Sequence, residues 1–282
     1  MTGALLLAAA LSYAHPEQLV DSEWVAAHHA DPHVRVVDMR RSGYDAGHLP
    51  SAVWLDPEAV REPDQDPTYL LSPARMTALM TSLGIDDATR VVAYDDRGGL
   101  FASRLWWLLE TYGHHEVALL NGGSVAWLQE GRALTTAVPT VRSVAGFTTT
   151  LRPQWVATAA EVVGAIGRPG TVIVDARTTG EMDGSDQRNS RRPGIVPGAV
   201  PLYWEDVLDP VRKTLLPPDA LAAVIARHGL RATDTVIAYC QVGHRSSVDL
   251  FALWQIGFQS LRNYYGSWEE WARRPDLPAV LP

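Results

Sequence analysis

The chain repeats itself, and this repetition constrains its fold more than any single motif. "VRVVDMR" (34–40) returns as "TVIVDAR" (171–177), and "GHLPSAVWL" (47–55) returns as "GIVPGAVPL" (194–202). "LMTSLGIDDATRVVAYD" (79–95) matches "VIARHGLRATDTVIAYC" (224–240), and "NGGSVAWLQEG" (121–131) matches "YGSWEEWARRP" (265–275). The four segments keep their order, and the later ones keep nearly one offset along the chain. Chance preserves neither. A repeat of this length marks a tandem duplication. With 282 residues there is chain enough for two domains of ordinary size. The join falls in "TTAVPTVRSVAGFTTTLRP" (135–153), which is rich in Thr and has no clean period. The expected boundaries are a first domain over 15–138, a linker over 139–153 and a second domain over 154–282.

Within each unit, short β-branched runs alternate with helical patterns. "RVVDMR", "RVVAYDD", "TVIVDAR", "DTVIAYC" and "SLRNYYG" read as strands, and the strongest are apolar on both faces, as in a parallel sheet covered by helices. "PPDALAAVIARHG" and "RSSVDLFALWQIGF" read as helices, the second starting near Ser246. Thr158 with Glu161 three residues on makes a capping box, and Asp21 or Ser22 caps the helix that carries Trp24. The fold class is α/β, with each domain a mostly parallel sheet flanked by helices.

The only cysteine, Cys240, sits at the C-terminal end of one of these buried strands, where ligands of open α/β sheets bind. The residues after it are Gln241, Val242, Gly243, His244, Arg245, Ser246 and Ser247. A turn of this kind curled around the sulfur points successive N–H groups inward and forms an anion nest. The following helix adds its positive end, and Arg245 adds a permanent charge with a planar donor fork. Gly243 frees the turn, His244 adds partial positive charge near neutral pH, and Ser246 and Ser247 cap the helix or bind an anion. All of these favour thiolate, so Cys240 is expected to be a reactive nucleophile.

Composition removes other classes. The formal net charge is -8, which disfavours a broad nucleic-acid or anionic-membrane surface. One cysteine rules out an internal disulfide framework and a multi-cysteine zinc site. The pairs His28–His29 and His114–His115 are adjacent, so their members do not face one metal. Neither a P-loop nor a dinucleotide fingerprint is present. The apolar opening "MTGALLLAAALSYAHPEQ" has no Lys or Arg before its apolar run, so a secretory leader is not expected. The expectation is a soluble, cytoplasmic protein without metal or organic cofactor.

These motifs together resemble the tandem-rhodanese sulfurtransferases, the family of thiosulfate and 3-mercaptopyruvate sulfurtransferases. The resemblance runs from about Gln18 to Pro275 and rests on "VVDMR…AGHLPSAVW", "VVAYDDRGG…SRLWWLLETYGH", "VIVDAR", "PGAV", "AYCQVGHRSS" and "YYGSWEEW". It implies one catalytic domain, the second. The position equivalent to Cys240 in the first half is Asp95, which cannot form a persulfide, so the resemblance implies a silent first domain that walls the cleft, with Arg97 and Arg104 as candidates to face it. It implies a small anionic sulfur donor, a Cys240 persulfide, and cyanide or a thiol as acceptor, thioredoxin or a low-molecular-weight thiol among them.

The charged loop, Gln241 to Ser246, is similar to the thiosulfate type rather than to the nearly uncharged mercaptopyruvate loop. Gln241 departs from it, standing where an Arg is expected. A second departure is Glu181, where the family often has a donor-binding Arg and where an acidic residue is expected to repel an anionic donor. Arg188 is the chosen compensating residue, with Arg191 and Arg192 beside it. His48 is expected to bond backbone, and Trp268 and Trp271 to pack in the core. Cysteine phosphatases place one residue more between cysteine and arginine, so this narrower loop suits a single sulfur. Use of 3-mercaptopyruvate, and a persulfide carrier or regulatory module loaded by a partner protein, stay as alternatives.

Overall fold

The computed structural model describes residues 11–62, 69–142, 144, 146–188 and 190–282. Residues 1–10 of the apolar opening lie outside them. The first half builds a sheet from β1 (Leu19–Val20), β2 (Val34–Asp38), β3 (Val53–Trp54), β4 (Arg90–Tyr94) and β5 (Val117–Leu120), in the order β1-β5-β4-β2-β3. The second builds β6 (Val156–Ala157), β7 (Thr171–Asp175), β8 (Val200–Pro201), β9 (Thr235–Tyr239) and β10 (Ser260–Tyr264), in the order β6-β10-β9-β7-β8. Every neighbouring pair is parallel. The repeat in sequence is therefore a repeat in topology, and β4 and β9 are equivalent central strands.

Four helices, α1 (Ser22–His28), α2 (Pro73–Ser82), α3 (Ala102–Thr111) and α4 (Gly123–Gln129), belong to the first half. The second has α5 (Ala159–Ala165), α6 (Thr179–Asp183), α7 (Pro218–Arg227), α8 (His244–Gln255) and α9 (Ser267–Arg273). The short α6 sits in the stretch between the first two repeat segments, which is longer in the second half. Asp21, not Ser22, caps α1: its carboxylate accepts the Trp24 N–H at 2.8 Å. Thr158 and Glu161 form the expected box at the start of α5. Helix α8 begins at His244, two residues before the expected start, because Gly243 turns the chain directly into it at φ 84° with no side-chain cap. The edge strands have two residues each, too few to show any period.

Two halves share one core. Every residue of α3 is buried, and α3 lies against α8. Trp106 meets Phe251 edge-to-face at 5.0 Å and Trp155 at 5.5 Å, and the Trp107 indole donates to the Trp155 carbonyl at 3.0 Å. A single apolar cluster runs from Val37 and Leu105 to Val236 and Leu253. Large aromatic area of this kind dominates packing energy, and its edge-to-face contacts add to it. Gln18 ties the seam: its side-chain oxygen accepts from the Trp106 and Trp254 indoles at 3.0 and 2.8 Å, and its nitrogen donates to Glu110 at 2.7 Å. No helix among the described residues is long and apolar enough to cross a membrane.

Candidate functional site

The site starts from a buried frame that both halves repeat. In the second half, Asp175 at the end of β7 accepts a bidentate bond from Arg177 and the Tyr239 hydroxyl at 2.5 Å. Arg177 also donates to the Gly194 carbonyl at 2.7 Å, and the Tyr239 hydroxyl accepts the Val196 N–H at 3.1 Å. Asp38, Arg40 and Tyr94 do the same in the first half, with Gly47 and Leu49 as partners. Such bonds offset the cost of burying a charged pair, and here they join the ends of β7 and β9 to the connection that follows, although Arg177 Nη1 has no partner among the described residues. These triads escaped the sequence reading, although Asp-x-Arg in "VVDMR" and "VIVDAR" and the shared "AY" carried the signal.

Cys240 follows Tyr239 and is 1% exposed. The Gly243 N–H donates to its sulfur at 3.1 Å, and the Ser246 hydroxyl lies 3.9 Å away. Gly243 has no substitute here: besides its positive φ, a Cβ would collide with the Tyr265 ring. The Cys240 carbonyl accepts the Trp268 N–H at 2.9 Å, and its own N–H donates to the Ser267 hydroxyl at 3.2 Å. Burial pushes the thiol pKa up, but the Arg245 charge and the N–H groups of Ser246, Val242 and Gly243 outweigh it and hold the thiol below its ordinary value.

Arg245 is held by a partner the sequence reading placed differently. Glu181 was expected to face a donor and repel it. It is instead buried and bonded to both ends of the Arg245 fork, Oε2 to Nη1 at 2.5 Å and Oε1 to Nη2 at 2.7 Å. Thr178, the cap of α6, donates to the same carboxylate through its N–H at 3.1 Å and its hydroxyl at 3.0 Å. Burial alone would raise the Glu181 pKa; the Arg245 and Thr178 hydrogen bonds bring it down to about 2.

The other expected residues scatter around the loop. Gln241 and Val242 are half-buried and line a cavity of about 390 Å³ with Arg188, Ser190, Arg191 and Glu269. Arg188 itself is exposed and paired with Asp186 at 2.9 Å. His244 does not carry the partial charge expected of it. It is buried against Phe101, and burial, then the charges of Arg104, Arg41, Arg61 and Arg245, hold its pKa well below the ordinary imidazole value. Ser246 and Ser247 do not cap α8: Ser246 donates to Asn263 at 2.9 Å and Ser247 bonds back to the Gly243 carbonyl at 2.9 Å.

Arg97 is exposed, whereas Arg104 is fully buried between the halves. His48 faces backbone carbonyls of Tyr44 and Ala137 at 3.0 and 3.2 Å. Trp268 and Trp271 are fully buried, with the Arg177 guanidinium 4.3 Å over the Trp268 ring. His28 turns to the Trp24 carbonyl and His29 to Ser51, while His114 turns to Thr89 and His115 to Glu110.

Asp95 occupies the equivalent place after β4, and there the chain fills its own nest. The Asp95 carboxylate accepts N–H bonds from Arg97, Gly99, Phe101 and Ala102 at 2.7 to 3.0 Å. Its carbonyl accepts the Ser124 N–H at 2.9 Å, as that of Cys240 accepts the Trp268 N–H.

The description "Rhodanese-like domain" matches the chain twice, at residues 21–130 and 158–274. A thiosulfate sulfurtransferase of Corynebacterium glutamicum is 34% identical, over 94% of this chain and 91% of that protein. The sulfur carrier protein TtuD of Thermus thermophilus is 31% identical, over 95% and 98%. A 3-mercaptopyruvate sulfurtransferase of Escherichia coli is 29% identical, over 92% and 96%. Among solved structures, the 3-mercaptopyruvate sulfotransferase SseA of Escherichia coli superposes with a TM-score of 0.77 at 25% identity, over 89% of this chain and 98% of that one.

Proposed function

This chain belongs to the rhodanese-like family as a tandem sulfurtransferase, nearer in sequence to the thiosulfate type than to the 3-mercaptopyruvate type, and from that premise we propose that it moves the sulfane sulfur of thiosulfate to cyanide or a thiol through a persulfide on Cys240. The observation that carries this reading is the loop around the sulfur. A buried thiol at the C-terminal end of a central strand meets inward N–H groups, a helix N-terminus and Arg245, and its pKa falls despite burial.

In the first half-reaction the Cys240 thiolate attacks the outer sulfur of thiosulfate. The S–S bond of the donor breaks, sulfite leaves with its electron pair, and Cys240 becomes a persulfide anion. In the second, cyanide or a thiolate attacks the terminal sulfur, and the Cys240 thiolate returns. Negative charge stays within the loop throughout, where fixed N–H dipoles stabilise it without reorganising. Gln241, Val242, Gly243 and Ser246 supply backbone and hydroxyl groups to this nest, Arg245 the charge, and Arg188 the outer rim. The first domain, with Asp95 in the nucleophile's place, takes no covalent part.

One observation favours a second reading. Arg245 is already bonded to Glu181, and Cys240 has almost no exposed surface. A carrier loaded by a partner protein needs less free positive charge than an enzyme that captures a dianion. Intact mass separates the two. Protein treated with thiosulfate, or with 3-mercaptopyruvate, gains one sulfur that cyanide removes and that Cys240→Ser does not gain; the faster donor names the substrate. No gain from either donor rejects the free-donor enzyme.

A further inference from the structure

In the second half, Arg245 is already paired with Glu181 and Arg188 with Asp186. On the first half's side of the loop the balance reverses. Arg104, on α3, has no exposed surface, and neither Nη1 nor Nη2 has a hydrogen-bond partner among the described residues. Its Nε donates to the Tyr265 hydroxyl, and its guanidinium lies 4.7 Å over that ring. Arg61 gives Nη1 to Glu269 at 2.9 Å, while its buried Nε and Nη2 have no partner among the described residues. His244, a member of the Cys240 loop, is 5% exposed and its Nε2 is also without a partner among the described residues. Arg61 and Arg104 lie 5.9 and 4.7 Å over the Tyr265 ring, which packs on Gly243 beside His244, and Arg41 lies over the Phe101 ring that His244 meets, so these groups converge on one side of the loop. Buried guanidinium groups with unbonded donors are costly, and an anion between them removes that cost.

We propose that Arg61, Arg104 and His244 form an oxyanion subsite, supplied mainly by the first half, which holds the sulfonate end of the donor while its outer sulfur meets Cys240. Two guanidinium groups provide planar donors matched to a three-oxygen face, and neutral His244 adds one N–H. Arg41 is the movable rim: it is exposed, pairs with Glu58 at 2.7 Å and lies over the Phe101 ring, so an anion reaches Arg104 as this side chain turns outward. Naming the donor rests on the thiosulfate reading above; the anion site itself does not.

Sulfite presents the same three-oxygen face and is the probe. Its binding is measured by titration calorimetry on Cys240→Ser, where no sulfur is transferred. In that background, Arg104→Gln and Arg61→Gln are each expected to weaken sulfite binding roughly tenfold or more, as loss of a charge-assisted bond does. Arg245→Gln is expected to weaken it less. Unchanged sulfite binding in folded Arg61→Gln and Arg104→Gln overturns the proposal and leaves Arg104 as a prop under Tyr265. So does an absence of sulfite binding to Cys240→Ser itself. Circular dichroism reports folding, and if Arg104→Gln does not fold, Arg61→Gln near the rim decides alone. Because the titration needs no thiol, its outcome is separate from that of the persulfide test.

Discussion

Two loops leave equivalent central strands of one duplicated fold, and they end in different chemistry. After β4 the Asp95 carboxylate fills a nest of four N–H groups. After β9 the nest closes on the Cys240 sulfur, with Arg245 beside it. The nest is thus a property of the strand-to-helix turn and was present in both copies. What differs is the group that occupies it. A built-in carboxylate satisfies the donors permanently and leaves nothing to react. A thiol satisfies them less completely and leaves the sulfur free to react, and a fixed cation shifts it towards the thiolate.

The largest break in this comparison is Cys240→Ser. Turnover of thiosulfate with cyanide is expected to fall at least about a thousandfold, read from thiocyanate formation, as removal of a nucleophile does. The converse break is Asp95→Ala, which strands four N–H groups, those of Phe101 and Ala102 buried. It is expected to cost about 3 kcal/mol or more in urea unfolding, with the Cys240 loop intact.

Arg245→Gln tests the cation. The thiol then loses its main charged support, so the rate of persulfide loading moves to higher pH and falls roughly tenfold or more at pH 6. In the wild type the sign is fixed by the lowered thiol pKa. Loading is lost as pH drops through that pKa and is flat above it, a plateau that begins below the ordinary cysteine value. Glu181→Gln sharpens the point in the opposite direction: it frees Arg245 and is expected to increase loading several-fold at pH 6. The same pair shapes acid stability. Glu181 is lowered from 4.5 to about 2, so its contribution is full above the ordinary glutamate range and disappears as pH falls towards about 2. The smallest effect is Thr158→Ala, which removes the capping box of α5 and is expected to cost about 1 kcal/mol in the same urea experiment.

The sequence carried the features that repeat or that sit on local rules. The duplication showed in matched segments, the cap at Thr158 in its spacing to Glu161, and the place of Cys240 in the apolar run before it. Less visible were features made by chain meeting chain. Glu181 and Arg245 are far apart in sequence, and the bond between them exists only because α6 and the Cys240 loop cross in space. A charge read alone at Glu181 suggested repulsion; its neighbour in the fold turns it into a clamp. His244 failed for the same reason, since its loss of charge comes from burial against Phe101 and then from arginines, most of them in the other half. The two-residue strands were invisible because the period of a strand needs several residues to show.

The seam between the halves carries a consequence for how this protein can change. Trp106, Trp107, Trp155 and Phe251 close it, and Gln18 stitches it. A duplicated chain begins as two independent modules, each dispensable. Once both bury their aromatic residues in the same interior, neither can be shed without exposing the other to water. The first half is therefore an obligate partner held by packing: its surface is free to drift, while its inner face is bound to the fate of the second.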